Sequence, residues 1–271
     1  MKEILEKAEV SLEIIRNKKA FICDMDGVIY HGNKLLPGVC EFVEWMQKND
    51  KDFLFLTNNS GYTPGELRSK LKRMGMDVSE SHFYTSAEAT ATFLASQKPN
   101  GSAYVIGQTG LVKALYDVGY SMTDIRPDYV VIGESDDYTY AKIIRATRHV
   151  LAGAKLIGTN PDVTGPAEGG IIPATAALMA PIELSTGSKA YYVGKPNPLM
   201  MRNALKKLGT KREETAIIGD RMDTDIIAGI ESEISTVLVL TGVTSLEDIE
   251  RFAYRPDIVL TGVCDINPQN S

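Results

Sequence analysis

Two aspartates follow a short apolar run near the start of the chain, where a buried strand is expected to end. The run AFIC closes at Cys23, Asp24 and Asp26 come next with one residue between them, and Gly27 follows. Charged side chains at such a position are unfavourable unless they bind a partner or take part in chemistry. A carboxylate can attack an electrophilic centre, and a neighbouring carboxyl group can transfer protons. The pair is therefore the first candidate for a reactive site.

Three further segments place polar groups directly after apolar runs: TNNS, VGKPNP and GDRMDTD. Carboxylates bind a hard divalent cation through oxygen, whereas lysine and amide groups hold the oxygens of a phosphate. Ligands of open α/β sheets bind beyond the carboxyl ends of the strands. If the polar groups converge there, they form a site for a phosphate and Mg²⁺. The candidate residues are Thr57, Asn58, Asn59, Lys195, Asp220 and Asp225.

Phosphoryl transfer assigns a chemical role to each of these groups. Asp24 attacks phosphorus in line, with its charge made tolerable by Mg²⁺. Asp26 protonates the leaving alcohol and then deprotonates the water that hydrolyses the aspartyl-phosphate. Gly27 allows the sharp turn that brings Asp26 to the leaving oxygen. Lys195 and Thr57 stabilise the equatorial oxygens as charge redistributes.

The elements that must position these residues alternate along the chain. Continuous apolar strands separated by helices indicate a parallel sheet covered on both faces, and the expected fold class is α/β. The Pro/Gly/Ser-rich segments 96–101 and 185–190 bracket a middle block with its own βα pattern, which predicts an inserted domain. The strand-like runs lie at 20–24, 52–59, 103–107, 128–133, 154–160, 215–220 and 235–240.

In chain order, DMDGVIYHG, LTNNS, VGKPNP and IGDRMDTDIIAG resemble the four motifs of the haloacid dehalogenase-like (HAD) phosphatase superfamily. GTNPD (158–162), STG (185–187) and LTGVTSLEDIERF further resemble its NagD-like subfamily. The resemblance implies a Rossmann-like parallel-sheet core with a large inserted α/β cap, which enters between the second and third motifs. The expected domains are an N-terminal amphipathic helix at 1–18, a core at 19–96 and 190–271, and a cap at 97–189.

The resemblance also implies residue roles. Asp24 matches the nucleophile and a Mg²⁺ ligand, Asp26 matches the general acid/base whose backbone carbonyl reaches the metal, and Asp220 matches the third protein ligand. Thr57, Asn58 and Asn59 match the phosphate-binding hydroxyl and amides, and Lys195 matches the phosphate-binding lysine. Asp225 matches a supporting acid near the metal or the lysine, whereas Asp223 is expected to face solvent. The implied activity is Mg²⁺-dependent hydrolysis of nucleoside monophosphates or sugar phosphates.

Composition limits the kinds of partner and the cellular compartment expected for this chain. The formal net charge of -6 gives no basic excess, which argues against a nucleic acid polymer and leaves a small phosphorylated metabolite as the expected partner. Three dispersed cysteines predict a reducing compartment, the cytoplasm, without a disulfide framework. No apolar run approaches the length of a membrane span, and the first 19 residues lack the apolar region of a signal peptide. Both a homodimer and a monomer remain possible from the sequence.

Two other functions remain open at this point. A phosphotransferase or mutase acting on sugar phosphates would use the same nucleophile, and a non-catalytic phosphate-binding regulator would keep the fold. A dehalogenase is disfavoured, since displacing halide from carbon needs neither a leaving-group acid nor Mg²⁺. The segment GTNPD leaves its own alternatives: Asn160 and Asp162 form a turn around Pro161, or they belong to a cap loop over the substrate.

Overall fold

A computed structural model describes residues 11–167 and 170–267 of the chain. The predicted N-terminal helix at 1–18 lies partly outside these residues, because residues 1–10 are not described. Residues 11–16 are helical and form α1. Ile15 on this helix is buried, as expected for an amphipathic helix laid on a core.

The strands and helices alternate along the described residues. The strands are β1 (Ala20–Cys23), β2 (Tyr30–His31), β3 (Lys34–Leu35), β4 (Asp52–Thr57), β5 (Phe83–Thr85), β6 (Ser102–Ile106), β7 (Ser121–Met122), β8 (Tyr129–Ile132), β9 (Lys155–Gly158), β10 (Thr164–Ala167), β11 (Gly170–Pro173), β12 (Tyr191–Tyr192), β13 (Thr215–Gly219), β14 (Ser235–Val239) and β15 (Ile258–Leu260). The α-helices after α1 are α2 (Val39–Lys48), α3 (Pro64–Arg73), α4 (Ser86–Gln97), α5 (Thr109–Asp117), α6 (Tyr140–Leu151), α7 (Thr175–Thr186), α8 (Pro198–Leu208), α9 (Ile227–Glu231) and α10 (Leu246–Ile249). Short 3₁₀ turns cover Glu80–His82, Arg212–Glu214 and Val263–Ile266, and a π-helical turn covers Met222–Ile226.

The chain divides into two compact units. The first comprises residues 1–56, 70–83 and 201–271, and the second comprises residues 57–69 and 84–200. The domain boundaries expected from the sequence, at 96/97 and 189/190, stay a prediction. Relative to them, the compact units group residues 57–69, 84–96 and 190–200 with the middle of the chain.

The first unit is built on a six-stranded sheet in the order β15-β14-β13-β1-β4-β5. β1 pairs in parallel with β13 on one side and with β4 on the other. Every residue of β1 and of β13 is buried, which is why both strands read as continuous apolar runs. Phe21 of β1 meets Phe42 and Trp45 of α2 in edge-to-face contacts, so aromatic packing holds this helix against the sheet.

The second unit contains a five-stranded sheet in the order β12-β9-β8-β6-β7. Its recorded strand pairs are all parallel. Ile106, Val130 and Ile132 from this sheet pack with Met179 and Ile182 of α7 in a buried cluster. β10 and β11 form a separate antiparallel hairpin. The unit therefore has its own core.

The α/β class predicted from the sequence is confirmed, with the parallel strands divided between two sheets. Apolar runs located seven of these strands to within about two residues at each end, because buried parallel strands carry apolar side chains on both faces. The short strands β5, β7, β12 and β15 were not among the predicted runs. Among the described residues, no helix combines the length and apolar character needed to cross a bilayer.

Candidate functional site

Asp24 and Asp220 occupy equivalent positions at the carboxyl ends of two paired strands. Asp24 follows β1, and Asp220 follows β13, its parallel neighbour. The backbone N–H of Asp24 donates to the carbonyl oxygen of Ile218 at 2.8 Å, which extends the ladder by one residue. Since parallel strands end at the same edge of a sheet, the pairing brings the two carboxylates together.

A third carboxylate joins them. Ligand oxygens of Asp24, Asp220 and Asp225 all lie within 4.8 Å of one another. Asp220 and Asp225 are buried, and Asp24 is partly buried. Asp225 reaches the group from the π-helical turn, where its Oδ2 accepts from the backbone N–H of Arg221 at 3.2 Å. These three residues are called the acid cluster below.

Glycines make room for the acid cluster. A Cβ on Gly27 would lie 2.5 Å from Oδ2 of Asp220, and one on Gly242 would lie 1.9 Å from the same atom. A Cβ on Gly219 would lie 2.1 Å from the Cβ of Asp225. Real side chains do not approach so closely, so each glycine is required by the position of an acid.

The loop after β14 holds Asp220 in place. The backbone N–H of Val243 donates to Oδ2 of Asp220 at 2.7 Å. The hydroxyl of Thr241 donates to the carbonyl oxygen of Gly27 at 2.5 Å, which ties this loop to the turn after β1. No motif in the sequence points to a role for Thr241, Gly242 or Val243. The only sequence feature that marks this loop is the segment LTGVT, which follows an apolar strand.

Asp26 lies in a tight turn beside two basic residues. The N–H of Gly27 donates to the carbonyl oxygen of Tyr30 at 2.8 Å, which closes the turn. Nδ1 of His31 is 3.7 Å from Oδ1 of Asp26, and Nζ of Lys70 lies 3.9 Å from the centre of the Tyr30 ring. Burial raises the pKa of Asp26, while the charges of His31 and Lys70 lower it. Burial likewise lowers the pKa of Lys70, and the charge of Asp26 raises it.

A raised pKa suits a proton donor, because it keeps a larger fraction of the carboxyl group protonated. The Asp26 side chain lies outside the acid cluster, which agrees with a proton-transfer role for its carboxyl group. Lys70 is a residue that the sequence analysis missed. It carries no motif, and only folding brings α3 near the turn that contains Asp26.

The acid cluster fits a hard divalent cation. All three potential ligands are carboxylate oxygens, the donors that Mg²⁺ prefers, and there is no thiol or imidazole among them to favour a softer metal. Two unit negative charges about 5 Å apart repel by about 3 kcal/mol at an effective dielectric constant near 20. A divalent cation offsets that repulsion, so the cluster is chemically suited to bind one.

The second unit contains the predicted phosphate-binding residues. Thr57 ends β4, and its hydroxyl accepts from the backbone N–H of Asn59 at 3.1 Å. Oδ1 of Asn59 accepts from the N–H of Gly61 at 2.9 Å. Thr57 and Asn58 are buried, whereas Asn59 is exposed. The segment therefore forms two successive turns made by its own side chains.

The structure brings Asn58 and Lys195 together. The backbone N–H of Lys195 donates to Oδ1 of Asn58 at 2.8 Å, and Nδ2 of Asn58 donates to the carbonyl oxygen of Lys195 at 3.0 Å. Lys195 is 2% exposed. Lysines are seldom buried to this degree, so Lys195 is not an ordinary solvent-exposed surface lysine. Nδ2 of Asn58 also donates to Oδ2 of Asp162 at 2.9 Å.

Glu134, which the sequence analysis did not select, joins two of the surrounding loops. Its Oε2 accepts from the backbone N–H of Ser60 at 2.9 Å and from the hydroxyl of Ser60. Its Oε1 accepts from Nδ2 of Asn160 at 2.7 Å. Asn160 is fully buried and also donates to the carbonyl oxygen of Asn58 at 2.7 Å. These residues are called the amide network below: Asn58, Ser60, Glu134, Asn160, Asp162 and Lys195.

The structure bears on the two alternatives for GTNPD, a turn around Pro161 and a cap loop over the substrate. Oδ1 of Asn160 accepts from the N–H of Asp162 at 3.1 Å, so the expected turn around Pro161 is present. The same two side chains also bind Asn58, which a turn would not require. Asp223 is exposed, as expected, and pairs with Arg221.

Known proteins resemble the chain over most of its length. A family model described as haloacid dehalogenase-like hydrolase matches residues 21–121, and one described as HAD-hydrolase-like matches residues 192–266. A dihydroxyacetone phosphatase of Corynebacterium glutamicum is 44% identical, over 91% of this chain and 90% of that protein. The ribonucleotide monophosphatase NagD of Escherichia coli is 42% identical, over 92% of this chain and 98% of that protein.

A solved structure is similar as well. A 4-nitrophenylphosphatase from Thermotoga maritima aligns with a TM-score of 0.91 at 35% identity, over 95% of this chain and 99% of that one. The similarity therefore extends well beyond the short motifs.

Proposed function

Because the chain belongs to the haloacid dehalogenase-like hydrolases, we propose that it is a Mg²⁺-dependent phosphatase acting on small phosphomonoesters. The observation that carries the proposal is the acid cluster, in which three carboxylates from separate segments lie within 4.8 Å. Nucleoside monophosphates and sugar phosphates are the proposed substrates. Relatives named ribonucleotide monophosphatase and dihydroxyacetone phosphatase support that substrate class.

Asp24 is the proposed nucleophile. Its carboxylate attacks phosphorus, the bond to the leaving oxygen breaks, and an aspartyl-phosphate forms. Asp24 and Asp220, with the backbone carbonyl of Asp26, are the proposed protein ligands of Mg²⁺, and Asp225 supports them. Bound Mg²⁺ supplies Lewis-acid stabilisation of the negative charge on the transferring group.

Asp26 is the proposed general acid and base. Its carboxyl group gives a proton to the leaving alcohol and then takes one from the water that attacks the aspartyl-phosphate. Burial raises its pKa, which keeps a larger fraction of the group protonated for the first step. Lys195, the Thr57 hydroxyl, the backbone N–H of Asn58 and the groups of Asn59 are the proposed ligands of the phosphate oxygens.

We also propose that the enzyme works in the cytoplasm. Cys23, Cys40 and Cys264 all lie within the described residues and are free thiols, as expected in a reducing compartment. Cys23 is fully buried next to Asp24, and burial raises its pKa strongly. A thiol of this kind is inert, which supports a packing role for Cys23.

Hydrolysis of p-nitrophenyl phosphate tests the proposed activity. We expect the purified protein with Mg²⁺ to release nitrophenol and inorganic phosphate in equal amounts. EDTA should stop the reaction and added Mg²⁺ should restore it. Asp24→Asn should lower the rate by at least about 10⁴-fold, because it removes the nucleophile. Turnover that survives both EDTA and Asp24→Asn would overturn the mechanism.

Asp223→Asn is the matched control. Asp223 lies in the same π-helical turn as Asp225 but is exposed and paired with Arg221, so its loss should leave turnover within about twofold. A panel of phosphorylated metabolites then separates the remaining functions. Accumulation of a second phosphorylated product in place of inorganic phosphate would identify a phosphotransferase. Phosphate binding without turnover on the whole panel would identify a regulator.

A further inference from the structure

The side chain of Asn58 is fully engaged inside the protein. Its Oδ1 accepts from the N–H of Lys195, and its Nδ2 donates to the carbonyl oxygen of Lys195 and to Oδ2 of Asp162. An asparagine amide has two donor hydrogens and one acceptor oxygen, and these three bonds use both hydrogens. The amide therefore has no free N–H for a phosphate. This conflicts with a direct phosphate contact by the Asn58 side chain.

The bonding pattern also fixes the orientation of the amide. Oδ1 faces a donor, the backbone N–H of Lys195, while Nδ2 faces two acceptors. A flipped amide would place an oxygen against the carbonyl of Lys195 and the carboxylate of Asp162. Both contacts would be repulsive. Asp162 therefore acts with the Lys195 backbone to select the orientation in which Asn58 bonds to both backbone polar groups of Lys195.

The neighbouring backbone is packed to match. A Cβ on Gly194 would lie 2.6 Å from Oδ1 of Asn58 and 2.7 Å from the carbonyl oxygen of Thr159. The N–H of Gly194 donates to that carbonyl at 2.7 Å. Asn58 itself is held by Asn160, whose Nδ2 donates to the carbonyl oxygen of Asn58. The backbone from which the Lys195 side chain projects is therefore fixed on two sides.

We propose that Asn58 is a positioning residue for Lys195, and that Asp162 sets the orientation of the Asn58 amide that this role requires. The inference rests on the proposed function in one respect, the role of Lys195 as the phosphate ligand. It assigns a function to the GTNPD segment and separates two roles within TNNS. The Asn58 side chain acts through Lys195, whereas the backbone N–H of Asn58 stays the proposed phosphate ligand. Because a misplacement of about 1 Å in a functional group can cost about 10²-fold, the effect should be large.

A double-mutant cycle on phosphate binding tests the proposal. The probe is inorganic phosphate, titrated by calorimetry into the Mg²⁺-loaded protein, so the cycle can be measured even if no substrate is hydrolysed. We expect Asn58→Ala to weaken phosphate binding about 10- to 100-fold in the parent, the range for residues that orient a ligand-binding group. In the Lys195→Ala background the same change should weaken binding less than about twofold. Equal losses in the two backgrounds would overturn the proposal.

Asp162 provides a second cycle that does not depend on Asn58 variants folding. Asp162→Ala should weaken phosphate binding in the parent, and Asp162→Asn should restore part of the loss because its amide oxygen can accept from Asn58. Both effects should vanish in the Lys195→Ala background. Asp117→Ala, which removes an exposed carboxylate paired with Lys113 in the same unit, is the matched control and should change nothing. An Asp162→Ala loss that persists without Lys195 would contradict the proposal.

The outcomes separate the two levels of inference. If the parent neither hydrolyses p-nitrophenyl phosphate nor binds phosphate, the proposed function fails and Lys195 is not a phosphate ligand. If the parent is active but the losses are additive, the function stands and only the positioning role is wrong. Turnover gives an independent readout, because a displaced Lys195 should lower kcat/KM in both cycles, whereas a general loss of stability should lower the melting temperature equally in every background.

Discussion

The acid cluster of the first unit and the amide network of the second hold buried polar groups in opposite ways. In the first, Asp24, Asp220 and Asp225 bring like charges within 4.8 Å of one another. In the second, Asn58 and Asn160 give their hydrogens to oxygens of the same unit. Like charges in proximity call for a cation, whereas matched donors and acceptors are already stable. The first arrangement is suited to bind a ligand, and the second is suited to hold geometry.

Substitutions in the two regions should therefore change different properties of the protein. Changes at the acid cluster should alter metal binding and turnover. Removing one carboxylate should also relieve the repulsion among the three. Changes in the amide network should alter stability first, since removing one partner strands a buried polar group.

After Asp24→Asn, the change Asp26→Asn should have the largest effect, a loss in kcat of about 10²- to 10⁴-fold, because proton transfer to the leaving oxygen and from water both fail. Since the Asp26 carboxyl group lies outside the acid cluster, the dissociation constant for Mg²⁺ should stay within about threefold. Steady-state kinetics and metal titration of the same preparation measure the two quantities. A parallel collapse of Mg²⁺ affinity would place the Asp26 side chain among the metal ligands.

Gly242→Ala should weaken Mg²⁺ binding by about 10- to 100-fold, the range for residues that orient a metal ligand. A Cβ at this position would lie 1.9 Å from Oδ2 of Asp220 and would displace either the carboxylate or the loop. Direct Mg²⁺ titration is the measurement. Gly165→Ala, where a Cβ meets no atom within 4 Å, should leave the affinity unchanged. Normal Mg²⁺ affinity in Gly242→Ala would show that the loop does not position Asp220.

Asn160→Ala should lower the free energy of unfolding by about 1–3 kcal/mol, because the bonds to Glu134 and to the Asn58 carbonyl are lost in a buried setting. Mg²⁺ affinity should stay unchanged, which separates the two regions. Urea unfolding with and without Mg²⁺ measures both. Asn17→Ala removes only an exposed contact to Glu13 and should stay within about 0.5 kcal/mol. A loss of metal affinity in Asn160→Ala would break the proposed separation.

His31→Ala should have the smallest effect. His31 is largely exposed and 3.7 Å from Asp26, so solvent screens its charge and kcat at the pH optimum should change less than about threefold. The positive charge lowers the pKa of Asp26, so its removal should raise that pKa. Any limb of the kcat profile that reports Asp26 should therefore move to higher pH. A shift to lower pH would contradict the assignment.

The family and the α/β class were readable from the sequence, and both are confirmed. β1 and β13 are buried on both faces, so their apolar runs are unbroken and their ends are visible at Asp24 and Asp220. The motif segments also predict which residues carry the chemistry, and three of those residues, Asp24, Asp220 and Asp225, lie close together in the structure. Such information is local, because a few residues in a row determine both the strand end and the polar group that follows.

The amide network could not be predicted from local sequence. Glu134 and Ser60 lie far apart in the sequence, and their contact depends on how the loops after β4 and β8 are folded together. The pairing of Asn58 with Lys195 depends in the same way on tertiary structure, since either residue alone is compatible with many roles. Gly242 is similar: its requirement for glycine comes from the Asp220 carboxylate, which only the folded sheet brings close.

The identity of the nucleophile is the central claim, and trapping the covalent intermediate tests it most directly. The protein is mixed with p-nitrophenyl phosphate and Mg²⁺, quenched in acid, reduced with borohydride and analysed by peptide mass spectrometry. Borohydride converts an aspartyl-phosphate to homoserine. We predict homoserine at position 24 that requires both substrate and Mg²⁺, and more of it in Asp26→Asn, where hydrolysis of the intermediate is slowed. Homoserine at another aspartate, or rapid turnover with none at any position, would contradict the account.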